Sequence, residues 1–536
     1  MALSTQQENA INWVREAIVK DSRVALNLIA RAGCGKTFTL IEIAKVLSTT
    51  LALTDEVYFG AYNTAIAKEI KEKLSAAGID PKHINASTLH SAGFSAWRRV
   101  AKTVQVDDKK VVKIVDALKL KLQADMLSKT GDQRARYEAK LEAIEIYRMF
   151  VVKAVSLAKQ RAFGFLCSFE DKSQWYALID HFGLEDEIEE GNVDMDEVVN
   201  LCIYTFKTSV SMDRDTIDYD DMILAPLVHN VRMWPKRVVM IDEAQDTNPA
   251  RRALAIKMLA PKNGIFIAVG DDRQAIYGFT GADSDSLDLI KSQLNSNVLP
   301  LNTTYRCPKA VVAYAQKWVA DINAHETAPD GLVRDMDEAG FWNEQLEPTD
   351  AILCRNTKPL VTLAYTMLRK GTACRIEGRE IGNGLIQLAQ RWDRIKTLAA
   401  LSNKLEDYLS KETQKWMAKG KEDKVAQVED KVETLMVLIE KLASEGKTLV
   451  SDLVSQINSM FGDEDKRQVL TLCTGHRSKG REWNRVFWLQ PELSPSKYAK
   501  KEHQLLQEEN LQYVITTRAK RELILVSGRG KQAPQS

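Results

Sequence analysis

Short apolar runs, polar turns and then apolar residues at helical spacing recur along the first third of this chain. VALNLIA at 24–30 suits a buried strand, and the residues from Lys36 onward suit a helix. VYFGAYNTAIAKEIKEKL repeats strand, turn and helix, and HINASTLHSAGF carries another short strand into a turn. Repeated units of this kind predict a mainly parallel sheet with its ligand at the C-terminal ends of the strands. Tyr62, Asn63, Thr88 and His90 fall along that edge. Ahead of the first strand, LSTQQENAINWVREAIV predicts a helix capped by Ser4 or Thr5, with Ala10, Trp13, Val14 and Ala17 on one face. From Val104 to Lys207 the spacing is helical throughout, and the stripe Val111, Val115, Leu118, Leu122 predicts an inserted helical subdomain. The α/β rhythm returns at Val238 to Ile241 and again at GIFIAVG. A second helical stretch, Asp393 to Phe461, aligns Val425, Val428, Val432, Leu435, Ile439 and Leu442, as a short helix pair or hairpin packed internally would.

Candidate chemistry gathers in the turns. ARAGCGKT, between the first strand and its helix, has the composition of a phosphate cradle: small residues let the backbone aim its N–H groups inward at a polyphosphate. Ala32, Gly33, Cys34 and Gly35 would form the cradle, Lys36 would neutralise the β- and γ-phosphates, and Thr37 would offer its hydroxyl to Mg²⁺. Gln6 and Gln7 read as solvated by themselves; beside a cradle a carboxamide can both donate to and accept from an adenine edge. RVVMIDEAQD delivers two adjacent carboxylates from a strand end, Asp242 to hold Mg²⁺ and Glu243 to orient and deprotonate water. Gln274 is placed to touch the γ-phosphate or the attacking water, and Tyr277 and Phe279 alternate as a stacking platform for bases would. The acids Asp218, Asp220 and Asp221 suit a solvated turn or a cap better than a metal site.

Composition narrows the class without choosing it. At 536 residues, three or four domains are expected. No apolar run approaches the ~20 residues that span a bilayer, so a soluble, cytoplasmic protein is expected. Seven cysteines show no paired or metal spacing and read as reduced core thiols. A net charge of +1 means that any nucleic-acid binding comes from a local groove, not a global field.

In order along the chain, LSTQQENAI, ARAGCGKT, AYNTA, TLHS, IDEAQD, VGDDRQAIYGFTGA, LNTTYRCP, TGHRSKGREWNRVF and EENLQYVITTRAK resemble the motif series of the superfamily 1 DNA helicases of the UvrD/Rep type. That resemblance implies an α/β fold of two RecA-like motor domains with ATP and Mg²⁺ in the cleft between them, each motor carrying a mainly helical insertion. It implies motor segments 1–103 with 208–300 and 301–390 with 463–530, insertions at 104–207 and 391–462, and a tail at 531–536. Arg306 and Arg518 look like arginine fingers. By the same resemblance Tyr305 stacks on adenine and Glu482 binds a ribose hydroxyl. Tyr62, His90, Tyr277 and Phe279 are similar to positions near single-stranded DNA; Asn63 and Thr88 share their edge, and His476 with Lys479 would couple DNA to nucleotide.

Three departures qualify the likeness. Phe38 stands where many relatives carry an Arg that packs on adenine, so the base would meet a different stack. Thr280 stands where relatives often place an Arg against the DNA backbone. The 391–462 insertion is much shorter than in larger relatives, and the 18 residues after Arg518 leave no room for a nuclease domain. The expectation is a monomeric ATP-dependent translocase and helicase acting 3′ to 5′ on single strands and single-strand/duplex junctions. Its alternative is a DNA-stimulated ATPase that strips proteins from DNA or serves as a regulatory subunit. A third reading, a binding module with a dead nucleotide site, is opposed by Lys36, Asp242, Glu243 and the two arginines.

Overall fold

The computed structural model describes residues 3–51, 57–101, 103–184, 194–211, 215–276, 285–370, 372–418, 422–461, 469–500 and 502–528. Two compact units divide the chain: Met1–Ala30 with Gly35–Leu301, and Arg31–Cys34 with Asn302–Ser536.

In the first unit six parallel strands line up in the order Ile84–Thr88, Val57–Ala61, Val238–Ile241, Ile265–Gly270, Val24–Ala30, Asn297–Leu301. Val24–Ala30, although first in sequence, is paired on both sides, because the crossover helices carry the chain out and back over the sheet faces. Such a strand is buried on both faces and needs a continuous apolar run, which VALNLIA supplies. The helix Thr5–Lys20 starts at Ser4, whose hydroxyl accepts from the Gln7 N–H while Gln7 Oε1 accepts from the Ser4 N–H, a reciprocal capping box.

Helices Lys110–Met126, Gly131–Gln160, Lys172–Phe182 and Met195–Val210 fill the stretch expected to be helical, with Val111 and Val115 buried and Leu118 and Leu122 packed on the same core. The acids beyond it are not a solvated turn, but they do cap nearby backbone, as expected: Asp218 Oδ1 accepts from the Asp221 N–H at 2.8 Å and Asp221 Oδ2 from the Asp218 N–H at 3.1 Å. Asp218 and Asp221 are buried; Lys159 Nζ lies 2.5 Å from Asp218 Oδ2 and 2.8 Å from Asp221 Oδ1, and Lys110 Nζ lies 2.7 Å from Asp221 Oδ2. Both lysines arrive on distant helices, so the local sequence held no sign of the pairing. Buried charges persist only when paired in this way.

In the second unit another six-stranded parallel sheet runs Leu332–Met336, Ala519–Val526, Trp483–Leu489, Ala351–Cys354, Leu470–Thr474, Cys374–Ile376. The expected helix pair is present as Leu398–Ala418 and Glu422–Ser444, and a third helix, Val450–Phe461, joins it. Val425, Val432, Leu435, Ile439 and Leu442 are buried, so the stripe is spent inside the unit. Asp430 fastens it further: its carboxylate accepts from the Thr357 N–H at 2.9 Å and the Lys358 N–H at 3.0 Å, at the start of the helix Thr357–Arg369. An acid on those N–H groups also meets the positive end of that helix dipole.

The seven cysteines are free thiols. Among the described residues no helix is long and apolar enough to cross a membrane.

Candidate active site

At the C-terminal edge of the first sheet, the chain leaves Val24–Ala30 and re-enters a helix at Lys36. Gly35 there has φ +81, a left-handed conformation that a Cβ would strain, and the first helical N–H groups open beside it. Lys36 Nζ lies 2.9 Å from both carboxylate oxygens of Glu243. Burial by itself would lower the Lys36 pKa, but the charges of Glu243, Asp242 and Asp271 outweigh it and hold the ammonium above the ordinary lysine value. Thr37 Oγ1 faces Asp242 Oδ2 at 3.5 Å. Asp242 is buried, and that burial, followed by the neighbouring Glu243 charge, raises its carboxyl pKa against the pull of Lys36.

Glu243 stands at φ +51, a conformation rare for a residue with a side chain. The turn is held by a chain of side-chain bonds: Gln245 Nε2 donates to Glu243 Oε2 at 2.5 Å, Gln245 Oε1 accepts from the Asp271 N–H, and Gln274 Nε2 donates to Asp271 Oδ2 at 2.7 Å. Lys36, Thr37, Asp242, Glu243 and Gln274 are thus brought together. Sequence reasoning missed Gln245 and Asp271; their only signal was a position just past a strand end.

This donor set fits a magnesium–nucleotide pair. A hydroxyl and a carboxylate already face each other, and three carboxylates act on one ammonium, an excess that a divalent cation offsets. Among the described residues no group of three or more His, Cys, Asp or Glu could hold a metal by itself, so Thr37 and Asp242 would need phosphate oxygens and water to complete the shell.

The family profile of the UvrD/REP helicase N-terminal domain matches residues 11–295, more than half of the chain, and the UvrD-like helicase C-terminal domain matches 379–529. The chain belongs to the UvrD/REP helicase family. Its two parallel sheets are the RecA-like motor folds of that family. Similar proteins include the ATP-dependent DNA helicase Rep of Buchnera aphidicola subsp. Acyrthosiphon pisum, 26% identical over 61% of this chain and 46% of its own length. The Rep of Buchnera aphidicola subsp. Schizaphis graminum is 25% identical over 61% of this chain and 45% of its own. The ATP-dependent DNA helicase PcrA of Staphylococcus aureus strain Mu50 is 25% identical over 60% and 41%. The chain spans less than half the length of these curated relatives.

Within this member of the UvrD/REP helicase family, the remaining candidates are placed as follows. Gln7 is buried with Nε2 near Gly35, but its Oε1 belongs to the capping box. Phe38 is partly exposed one residue past Thr37. Asn63 and Thr88 cap the helices Thr64–Ala76 and Leu89–Trp97, accepting from the Ile66 and Ser91 N–H groups. Tyr62 and His90 share a polar pocket of about 190 Å³ with Asp246, Asn248, Arg251 and Lys159. The Arg251 guanidinium stands 5.4 Å from the centre of the Tyr62 ring, and burial followed by the Arg251 charge pushes the His90 imidazole down to about 4. Arg251 was not foreseen, since one Arg on a helix surface is unremarkable in a sequence. Tyr277, Phe279 and Thr280 lie outside the described residues.

Ala32, Gly33 and Cys34 pack with the second unit, where the Ala32 N–H donates to Tyr513 Oη at 2.8 Å and Gly33 O accepts from the Tyr305 N–H at 2.9 Å. Tyr305 leans on His325 with ring centres 4.8 Å apart. Arg306 pairs with Glu482, Nε to Oε2 at 2.5 Å, so two residues expected to act separately on nucleotide hold each other. Arg518 is fully buried: Nε donates to Val514 O at 2.8 Å, Nη1 to Arg481 O at 3.1 Å and Nη2 to Thr517 Oγ1 at 3.0 Å. His476 is half-buried, its imidazole pushed down to about 4 by burial and then by Arg355.

Proposed function

We propose that this chain is an ATP-dependent translocase and helicase that moves 3′ to 5′ along single-stranded DNA and opens single-strand/duplex junctions. The observation that carries the reading is the Lys36–Glu243 and Thr37–Asp242 pairing at the C-terminal edge of a parallel sheet, in a member of a family whose similar proteins bear the name ATP-dependent DNA helicase. Thr37 and Asp242 would hold a magnesium ion, which would supply charge neutralisation at the phosphates. Lys36 leaves Glu243 for the β- and γ-phosphates, which frees the Glu243 carboxylate to accept a proton from the attacking water that Gln274 orients. Arg306 and Arg518 are the proposed arginine fingers; each must first leave its present partners, Glu482 for one and backbone carbonyls for the other. Tyr305, Phe38 and Gln7 hold the base, and Glu482, once released, the ribose.

Tyr62, His90 and Arg251 supply ring faces and one cation to the strand, contacts indifferent to sequence. The working division is motor segments 1–103 with 208–300 and 301–390 with 463–530, and insertions at 104–207 and 391–462. The proposed protein is monomeric and cytoplasmic.

A second reading, a DNA-stimulated ATPase that strips proteins from DNA, draws support from the internal packing of the 391–462 helices, whose apolar stripe is spent within their own unit. Duplexes with 3′ or 5′ single-stranded tails separate the two readings, with ATP turnover measured on DNA and RNA strands. The expected result is unwinding from the 3′ tail and a loss of ATP turnover on the order of 10²–10³-fold in Lys36→Ala. Turnover stimulated by single strands without unwinding supports the stripping reading. Unwinding from the 5′ tail alone reverses the polarity, and unchanged turnover in Lys36→Ala sinks the enzyme assignment.

A further inference from the structure

At the opposite end of the first sheet from the cradle lies a groove of about 640 Å³. Its walls are the start of the strand Val24–Ala30, the helix Pro249–Met258, the end of the helix Ser286–Leu294, and the Phe165–Leu166 turn of the helical insertion. A seven-residue strand separates it from the cradle by roughly 20 Å, so an occupant here does not compete with nucleotide.

Two properties of the groove coincide. The first is apolar surface left in water: Phe165 is 43% and Leu166 55% exposed, and they flank Ile256 and Leu294, which continue the apolar surface from the core below. Two adjacent exposed apolar side chains above a partly buried apolar floor give a partner apolar surface to remove from water. The second is uncompensated positive charge. Arg23 is exposed and Lys257 donates to the neutral Asn230 Oδ1 at 2.6 Å; among the described residues neither has a carboxylate partner, and no Asp or Glu lines the groove.

We propose that this groove docks an extended acidic peptide of a partner protein, with apolar side chains seated on Phe165, Leu166, Ile256 and Leu294 and carboxylates on Arg23 and Lys257. Charge complementarity selects the acidic partner, and the apolar floor favours peptide over nucleic acid: a strand would satisfy the cations and could stack a base on Phe165, but Leu166, Ile256 and Leu294 are aliphatic and suit apolar side chains instead. An acidic peptide with apolar residues satisfies both surfaces at once. The proposal stands apart from the helicase reading, because its residues belong to neither the nucleotide nor the DNA set.

The test is fluorescence anisotropy of the full chain at 0.15 M salt, with a fluorescein-labelled Asp-Glu-Asp-Leu-Leu-Phe peptide as probe and Lys-Arg-Lys-Leu-Leu-Phe and Asp-Glu-Asp-Ser-Gly-Ser peptides as controls. Saturable binding of the first peptide alone is expected. The exposed-site variants Arg23→Glu with Lys257→Glu, and separately Leu166→Asp, should each weaken it by about tenfold or more while melting temperature and ATP turnover stay unchanged. No saturation by about 1 mM overturns the proposal, as does equal binding of either control peptide or binding unaffected by the variants. Displacement of the probe by oligothymidylate, lost with the Arg23 and Lys257 variant, assigns the groove to nucleic acid instead. A dimer in sedimentation that Leu166→Asp dissolves assigns it to a second copy of this chain.

Discussion

Glu243 shows how much of the site depends on single residues in uncommon states. It adopts φ +51, beside a buried carboxyl, with its charge spent on Lys36. Such a conformation costs on the order of 1–3 kcal/mol and survives where the surroundings over-determine it, here through Gln245 and the Asp242 side chain. Asp220 is a second residue held away from its ordinary state. Burial pushes its carboxyl up to about 6, against the pull of the Ser156 hydroxyl that donates to Oδ2 at 2.5 Å. A raised acid binds its proton more tightly in the folded than in the unfolded chain, so its ionised form costs stability above pH 6, and that cost fades as pH falls toward the unfolded value near 4. Asp220→Asn is therefore expected to stabilise the protein by about 1–2 kcal/mol at pH 8 and by less at pH 5. Urea midpoints at the two pH values check this; an equal gain at both would mean that the carboxyl does not titrate abnormally. Lys36, Asp242 and Glu243 were legible because each follows an apolar run at a fixed offset. Arg251, Gln245 and the Lys159 pairing were not, because their meaning lies in which distant residue they meet.

Elements were legible where period and punctuation agreed. The first-unit strands are short apolar runs ended by polar turns, and their helices begin at Ser4, Asn63 and Thr88, side chains that cap. How closely elements approach was not legible. Gly93 sits in the helix Leu89–Trp97 where a Cβ would come 2.1 Å from Met222 O of the helix Asp221–Val228, a backbone atom that has little room to yield. Gly93→Ala is expected to cost about 1–3 kcal/mol or more by overpacking, read as a lower urea midpoint. An unchanged midpoint would show that these helices do not meet so closely. In the second unit, the stripe from Val425 to Leu442 announced a packed helix but not its anchorage. Asp430 reaches the start of a helix 72 to 73 residues earlier in the chain, and no local pattern marks that contact.

For the whole molecule, the nearly balanced charge constrains the proposed hold on DNA. With a net charge of +1, no global field gathers a polyanion, and the DNA grip proposed above would draw on a few local cations beside stacking rings, such as Arg251 at Tyr62. Single-strand affinity should fall with salt at a slope near −0.7 for each phosphate neutralised, and a slope of about −2 to −4 is expected in log–log titrations. A slope steeper than about −6 would reveal a continuous cationic track instead.

By itself the sequence determined the α/β class, the motif series and the candidate residues for a phosphate, because these are set by local periodicity and by the short-range geometry of a strand running into a helix. The tertiary structure alone decided which charges are neutralised and by what. Lys159 with Asp218 and Asp221, Arg306 with Glu482, and Lys257 on the neutral Asn230 at the apolar groove are matters of long-range juxtaposition. The physical reason is the reach of each interaction: backbone preference acts over a few neighbouring residues, whereas burial and ion pairing depend on which segments the fold packs together.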